Sequence, residues 1–175
     1  EVQYLFFSEH AYEDCYNEIK EKLETFSPDI VAFQILTFNR VSAYRMIEYI
    51  HEKYPLVNLI IGGIHTTVMH QSIIKKYPYV IAVLAEGELT ILELVKELSQ
   101  PSLNLHSVDG IVFSENGIIV KTRSRELIKN IDEIPFPKHE LFFKGNRTCG
   151  DILTTRGCPF NCSFCCLNST SQYKV

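Results

Sequence analysis

The 175-residue chain carries 17 Lys and Arg against 21 Asp and Glu, a net charge of -4, with 46% hydrophobic and 11% aromatic residues. That is the balance of a globular domain, long enough for one complete domain plus at most a fragment of another. No Lys/Arg run attracts phosphate backbones or anionic lipid, and the longest apolar stretch, residues 56–64, falls far short of the roughly 18–20 residues that cross a bilayer, so neither nucleic acid nor membrane is expected as a partner.

The chain opens on Glu1 rather than methionine, in an apolar run near Val2 that reads as a strand, so a longer parent protein is expected. Further runs rich in β-branched and aromatic residues begin near Ile30, Val57 and Val80, and each of the four is followed by helical periodicity. Tyr12, Cys15, Tyr16, Ile19, Leu23 and Phe26 fall on one helical face after the first run, and Ala43, Met46, Ile47, Ile50 and Tyr54 after the second. The last helix shows Ile91, Leu92, Val95 and Leu98. Strands such as residues 30–36 are nearly continuous in apolar character, as expected when helices cover both sheet faces. Repeated βα units predict an open parallel, Rossmann-like or flavodoxin-like α/β sheet. Ligands of such sheets bind outside the carboxyl ends of the strands, which directs attention to the loops after Leu36, Ile61 and Leu84.

Past Ser99 the pattern changes. Gly110 to Val120, with Asn116-Gly117 as its turn, reads as a β-hairpin appended to the sheet. Ile134-Pro135-Phe136-Pro137 excludes regular structure and reads as an extended connector. A short strand, Ile152 to Thr155, then leads through Arg156-Gly157 into a cysteine cluster. The expected organisation is an α/β domain over residues 1–133, a connector over 134–148, and the start of a second, truncated domain over 149–175.

Four of the six cysteines crowd into residues 158–166, a distribution that suits a metal site in a reducing cytoplasm better than three disulfides. Cys158, Cys162 and Cys165 form a C-x3-C-x2-C spacing, three thiolates on one loop. A structural zinc site wants four closed ligands, usually as two separated pairs, and the fourth here could only be Cys149, Cys166 or a residue elsewhere. An iron-sulfur cube held by three cysteines leaves one iron open to a substrate or cosubstrate. Free thiols are the bland alternative. Cys149 and Cys166 read as bystanders, and Cys15, on the apolar face of its helix, as a buried inert thiol.

The run Thr154-Thr155-Arg156-Gly157-Cys158-Pro159-Phe160-Asn161-Cys162-Ser163-Phe164-Cys165 resembles the signature of radical S-adenosylmethionine enzymes. The resemblance implies a 4Fe-4S cluster on Cys158, Cys162 and Cys165, with S-adenosylmethionine chelating the open iron and being cleaved to a 5'-deoxyadenosyl radical. Phe164 matches the aromatic position whose backbone lies near the adenine. An external electron donor such as flavodoxin or ferredoxin is implied with it.

Gly62-Gly63-Ile64-His65-Thr66-Thr67 follows the third run and Ala85-Glu86-Gly87-Glu88-Leu89-Thr90 the fourth. Taken bare, the two glycines need only make a tight turn, and Glu86 and Glu88 need only complement the positive end of the following helix. A turn histidine such as His65 is more often solvated than a metal ligand. The order of pieces, however, from βα sheet through hairpin and Pro-Phe-Pro connector to C-x3-C-x2-C, is similar to the front half of the cobalamin-binding radical S-adenosylmethionine enzymes, such as the anaerobic magnesium-protoporphyrin monomethyl ester cyclase-like proteins. That resemblance spans essentially the whole chain and implies Thr37, Gly62, Gly63, His65, Glu86 and Gly87 as cobalamin contacts. Ala32 and Gln34 depart from the small Ser or Gly the family often has in that strand. No Asp-x-His-x-x-Gly stretch offers a histidine to cobalt. The family's first strand is expected before Glu1 and most of its β/α barrel beyond Val175.

The leading expectation is therefore part of an enzyme that methylates or otherwise remodels an unactivated carbon of a small-molecule substrate. A non-catalytic small-molecule sensor with a zinc site is the alternative, and iron with acid-labile sulfide against stoichiometric zinc separates the two. A flavodoxin-like nucleotide-binding domain is disfavoured, since no phosphate-cradling Gly-rich loop opens a helix.

Overall fold

In the computed structural model the described residues are 1–3, 5, 12–141, 154–160 and 162–166. They form the helices α1 (Tyr12–Phe26), α2 (Arg40–Lys53), α3 (Ile64–Lys76) and α4 (Glu88–Leu98) and the strands β1 (Ile30–Gln34), β2 (Asn58–Gly62), β3 (Val80–Val83), β4 (Ile111–Glu115) and β5 (Ile118–Lys121). Helical spacing of apolar residues accounts for the helices: Cys15, Ile19 and Leu23 are buried on α1, and Ala43, Met46, Ile47 and Ile50 on α2. Lys53, Lys75 with Lys76, and Lys96 occupy the last turns of α2, α3 and α4, where positive charge complements the helix dipole. Among the described residues no helix is long and apolar enough to cross a membrane.

The five strands make one sheet in the order β1-β2-β3-β4-β5. The first three are parallel, with Ile30↔Asn58 through Gln34↔Gly62 and Leu59↔Val80 through Ile61↔Ala82 in register. The expected hairpin is appended to this sheet: β4 pairs antiparallel with β3, through Ala82↔Val112 and Val83↔Ile111, and so extends it. The physical reason is that β3 is buried along its whole length, and an unpaired edge there would leave backbone groups without partners. Ile111, Val112 and Phe113 are correspondingly buried, which a two-stranded ribbon standing apart does not achieve. The sheet is thus mixed rather than all parallel.

Alternate strand residues feed two cores. Leu59, Ile61, Val80, Ala82 and Val112 pack with α1, α2 and α3, whereas Ile60, Ile81, Val83, Ile111 and Phe113 pack with Leu94 of α4 and Val108. Right-handed crossovers between strands laid down in one direction place α2 and α3 on the same face. The predicted two-sided burial of residues 30–36 holds only in part: Ala32 and Gln34 of β1 are exposed, because α4 covers the centre of its face and β1 is an outer strand of the five.

The run near Val2 supplies no strand among the described residues: Glu1–Gln3 and Leu5 are irregular, and the rest of that run lies outside them. Ile152 and Leu153 of the predicted short strand also lie outside, while Thr154 and Thr155 are irregular and Arg156 makes an isolated bridge. Residues 134–138 carry neither helix nor strand.

After β5 the chain turns back along α4 as a strap. Thr122 Oγ1 donates to the Ile111 carbonyl at 3.2 Å, Arg123 pairs with Asp109 at 2.6 Å, and Arg125 donates through Nε to Thr90 Oγ1 at 2.8 Å while pairing with Glu93. The Ile128 N–H then reaches Glu86 Oε2 at 2.6 Å. Because α4 begins at the carboxyl end of β3, this strap delivers the connector to the carboxyl edge of the sheet.

Ile61 is 0% exposed in β2 and Leu56 is 93% exposed in the loop before it. Ile61→Ala is expected to lower unfolding stability by about 2–5 kcal/mol and Leu56→Ala by less than about 0.5 kcal/mol, read from urea midpoints.

Candidate functional site at the carboxyl edge

Parallel pairing brings the ends of β1, β2 and β3 together, and the loops that follow are joined by polar side chains. After β1, Asn39 closes a compact turn: its Oδ1 accepts from Leu36 N–H at 2.8 Å and its Nδ2 donates to the Gln34 carbonyl at 3.1 Å. The Arg40 guanidinium donates to the Thr37 carbonyl. This turn presents Thr37 Oγ1 to His65 Nδ1 at 3.1 Å, while Tyr44 of α2 meets His65 Nε2 at the same distance. A neutral imidazole satisfies both contacts, one nitrogen donating and the other accepting. Burial, and then the charge of Arg40, lowers the pKa of His65, so the folded protein favours that neutral ring. Burial raises the pKa of Tyr44, keeping its phenol protonated.

The two glycines differ. Gly63 has φ +94°, and a Cβ there would lie 2.7 Å from the Ile35 carbonyl oxygen, so its lack of a side chain is demanded by the turn itself. At Gly62 a Cβ would meet only the Val83 carbonyl, at 3.9 Å. The protein's own packing therefore does not require glycine at 62, and the space beside it is open. The register sets Gln34 next to Gly62 and Ala32 next to Ile60, so the exposed part of β1 borders that opening.

Two threonines of the Gly-Gly-x-His-x-Thr loop, whose own roles the sequence left unassigned, do the joining. Thr66, fully buried, donates to the Gly62 carbonyl at 2.9 Å. Thr67 Oγ1 donates to the Gly63 carbonyl at 3.1 Å and accepts from Ala85 N–H at 3.0 Å, tying the second loop to the third. Their signal was their place directly after Gly-Gly-x-His at a helix start, where hydroxyls compete for backbone groups. Ala85 itself takes a left-handed φ of 56°, which swings the following Glu86-Gly87-Glu88 across the edge.

The expected contacts Thr37, Gly62, Gly63, His65, Glu86 and Gly87 thus share one edge. Thr37 and His65 touch directly. The Glu86 carboxylate is spent within the chain: besides Ile128 N–H it faces Arg156 Nη1 at 3.9 Å, and Glu88 Oε1 takes Arg156 Nη2 at 2.6 Å. Arg156 was read only as part of a motif, and no periodicity could have paired it with Glu88.

Cys158 and Cys165 are half-buried and Cys162 is exposed, with Cys165 N–H donating to the Cys162 carbonyl at 3.1 Å in a tight turn. Among the described residues no three His, Cys, Asp or Glu side chains gather as a ligand set. The three thiols share a loop without converging. As a donor set, soft thiolates spaced x3 and x2 on one loop fit an iron-sulfur cluster with one open iron. Phe164 is 91% exposed. Cys15 is buried, and Cys149 lies outside the described residues.

Comparison with known proteins places these features. Residues 1–95 match the family model of the B12 binding domain. An uncharacterized methyltransferase, PH0819, of Pyrococcus horikoshii is 35% identical over 156 residues, 86% of this chain and 34% of that protein. The anaerobic magnesium-protoporphyrin IX monomethyl ester cyclase of Rubrivivax gelatinosus is 30% identical over 169 residues, 90% of this chain and 29% of that protein. The chain thus spans about a third or less of these curated relatives. The cobalamin-dependent S-adenosylmethionine radical enzyme OxsB, with aqua-cobalamin and S-adenosylmethionine bound, superposes with a TM-score of 0.62 at 23% identity over 73% of this chain and 18% of that one. The radical S-adenosylmethionine methyltransferase TsrM from Kitasatospora setae, with tryptophan substrate and aza-SAM bound, gives 0.66 at 18% identity over 89% and 33%. Both likenesses establish the fold.

The lowered His65 pKa has a measurable consequence. Above the unfolded value of about 6.5 the ring is neutral folded and unfolded; as pH falls through it the unfolded chain takes the proton first, and stability is lost until the lower folded pKa is passed. The stability advantage of the wild type over His65→Gln is therefore expected to shrink between about pH 7.5 and 5.5 in paired urea titrations. Separately, Gly63→Ala is expected to cost about 1–3 kcal/mol through its positive φ and the Ile35 clash, read in the same assay.

Proposed function

Since this chain belongs to the B12-binding domain family, we propose that it supplies the cobalamin-holding sheet and the cluster-binding cysteine loop of a radical S-adenosylmethionine enzyme that methylates, or closes a ring on, an unactivated carbon of a small-molecule substrate. The observation that supports this most is the opening beside Gly62 on the same edge to which Arg156, two residues before Cys158, is tied. The cysteine motif and the sheet loops so become neighbours. Relatives named as methyltransferase and as cyclase support the two reaction types. When bound, cobalamin supplies a transferable methyl group or one-electron chemistry, and the cluster supplies the electron that cleaves S-adenosylmethionine.

The chain's own residues have defined tasks in this reading. Gly62 lets a bulky macrocycle or its tail approach the backbone, and the exposed Ala32 and Gln34 border that approach. Thr37, His65 and Thr67 hold the surrounding loops in register, which limits the ordering cost of binding. With its two nitrogens engaged by Thr37 and Tyr44, His65 is placed to hold the loops around the cofactor rather than to reach for cobalt. Cys158, Cys162 and Cys165 each contribute one thiolate to the cluster, with Phe164 at its rim. A flavodoxin or ferredoxin in a reducing cytoplasm delivers the electron.

Anaerobic reconstitution followed by iron and sulfide analysis tests the cysteine assignment. About four of each per protein are expected, lost in Cys162→Ala and kept in Cys166→Ala; stoichiometric zinc without sulfide would overturn it. For cobalamin, hydroxocobalamin titration followed by visible absorbance is expected to show Gly62→Ala binding about 5- to 100-fold more weakly, at unchanged urea midpoint, if overpacking costs about 1–3 kcal/mol. Equal affinity of the two proteins would mean that the opening serves no ligand.

A further inference from the structure

We infer that Glu86 and Glu88 are the two jaws of a clamp on Arg156, a positioning device that holds the segment leading into Cys158 against the carboxyl edge of the sheet. Read bare, Glu86 and Glu88 complement a helix dipole, and the family resemblance adds Glu86 as a cobalamin contact; the geometry gives the two carboxylates a shared task. Arg156 Nη2 lies 2.6 Å from Glu88 Oε1 and Nη1 lies 3.9 Å from Glu86 Oε1, so one planar guanidinium spans two carboxylates. That reach needs the fork of arginine, which a lysine ammonium lacks. The Glu86 side chain is only 9% exposed and that of Arg156 24%, so solvent screens the Glu86 jaw less than a surface pair, whereas the Glu88 jaw, 36% exposed, is partly screened.

Glu86 is also a junction. Its other oxygen takes the Ile128 N–H at 2.6 Å, so one carboxylate gathers the strap that leaves the hairpin and the segment that enters the cysteine loop. Glu88 Oε2 is buried with no hydrogen-bond partner among the described residues. The Glu88 side chain is 36% exposed, so water reaches part of this carboxylate while Arg156 serves its Oε1. Thr67 extends the coupling by holding Ala85, the residue before Glu86, to the Gly-Gly loop. Contacts thus run without a break from Arg156 through Glu86, Ala85 and Thr67 to the Gly63 carbonyl. The bearing of the clamp on two cofactors rests on the function proposed above; the clamp itself does not.

Hydrogen exchange on the metal-free protein at fixed pH tests the clamp. Arg156→Ala and Arg156→Lys are expected to speed exchange across residues 154–160 by about tenfold and severalfold respectively, with far-UV dichroism and urea midpoint unchanged. Glu86→Gln keeps an acceptor for Ile128, so exchange there should hold while that of residues 154–160 rises; Glu86→Ala should raise both. Identical exchange across residues 154–160 in wild type and Arg156→Ala would overturn the proposal. Loss of cluster assembly in wild type would instead sink the functional reading and leave the exchange result standing.

Discussion

A first side-chain carbon at position 63 would stand 2.7 Å from the Ile35 carbonyl oxygen, in a turn whose φ is +94°. That close approach of one backbone to another sets the geometry of the carboxyl edge. With β2 ending against β1, the Ile35 N–H bonds the Gly62 carbonyl at 2.8 Å and the Ile35 carbonyl takes the His65 N–H at 3.3 Å. Helix α3 therefore starts directly beside the loop after β1, which puts His65 within reach of Thr37 and Tyr44 and sends Thr67 toward β3. A turn wider by one side chain would leave these polar groups facing water, and the three loops would move independently.

The polar residues of the edge serve order before they serve chemistry. Each contact among Thr37, His65, Tyr44, Thr66, Thr67 and Ala85 is a modest one, worth about 0.5–1.5 kcal/mol. Together they spend the conformational freedom of three loops during folding rather than at binding. The opening beside Gly62 is consequently a gap in a rigid rim. It differs from Gly63 in a way that the shared Gly-Gly spelling hides: one glycine is empty because the turn forbids a side chain, the other although the protein tolerates one.

Helices and buried strands were legible because their signals are local. Cys15, Ile19 and Leu23, or Met46, Ile47 and Ile50, state their face by spacing alone, and the unbroken apolar run of β3 states two-sided burial. The hairpin was legible from its Asn-Gly turn, but its antiparallel pairing with β3 was not, since only the open edge of β3 decides where it attaches. In the site, the loops could be located from strand order. The roles of Glu86, Glu88 and Arg156 could not be read, because their pairing joins positions far apart along the chain through a strap whose course is set by Arg123, Arg125 and Ile128. The roles of Thr66 and Thr67 could not be read because hydroxyls at a helix start are common, and only their tertiary partners give them meaning.

The clamp also has a place in time. Glu88 and Arg156 are separated by 68 positions in sequence, and between them the chain must complete α4, add the hairpin to β3 and lay the strap along α4 before the guanidinium finds its carboxylates. Contacts of such long separation close late, after contacts within shorter loops have offset their smaller closure cost. The clamp rests on two carboxylates and one guanidinium outside both cores, so opening it costs the sheet none of its buried apolar contacts.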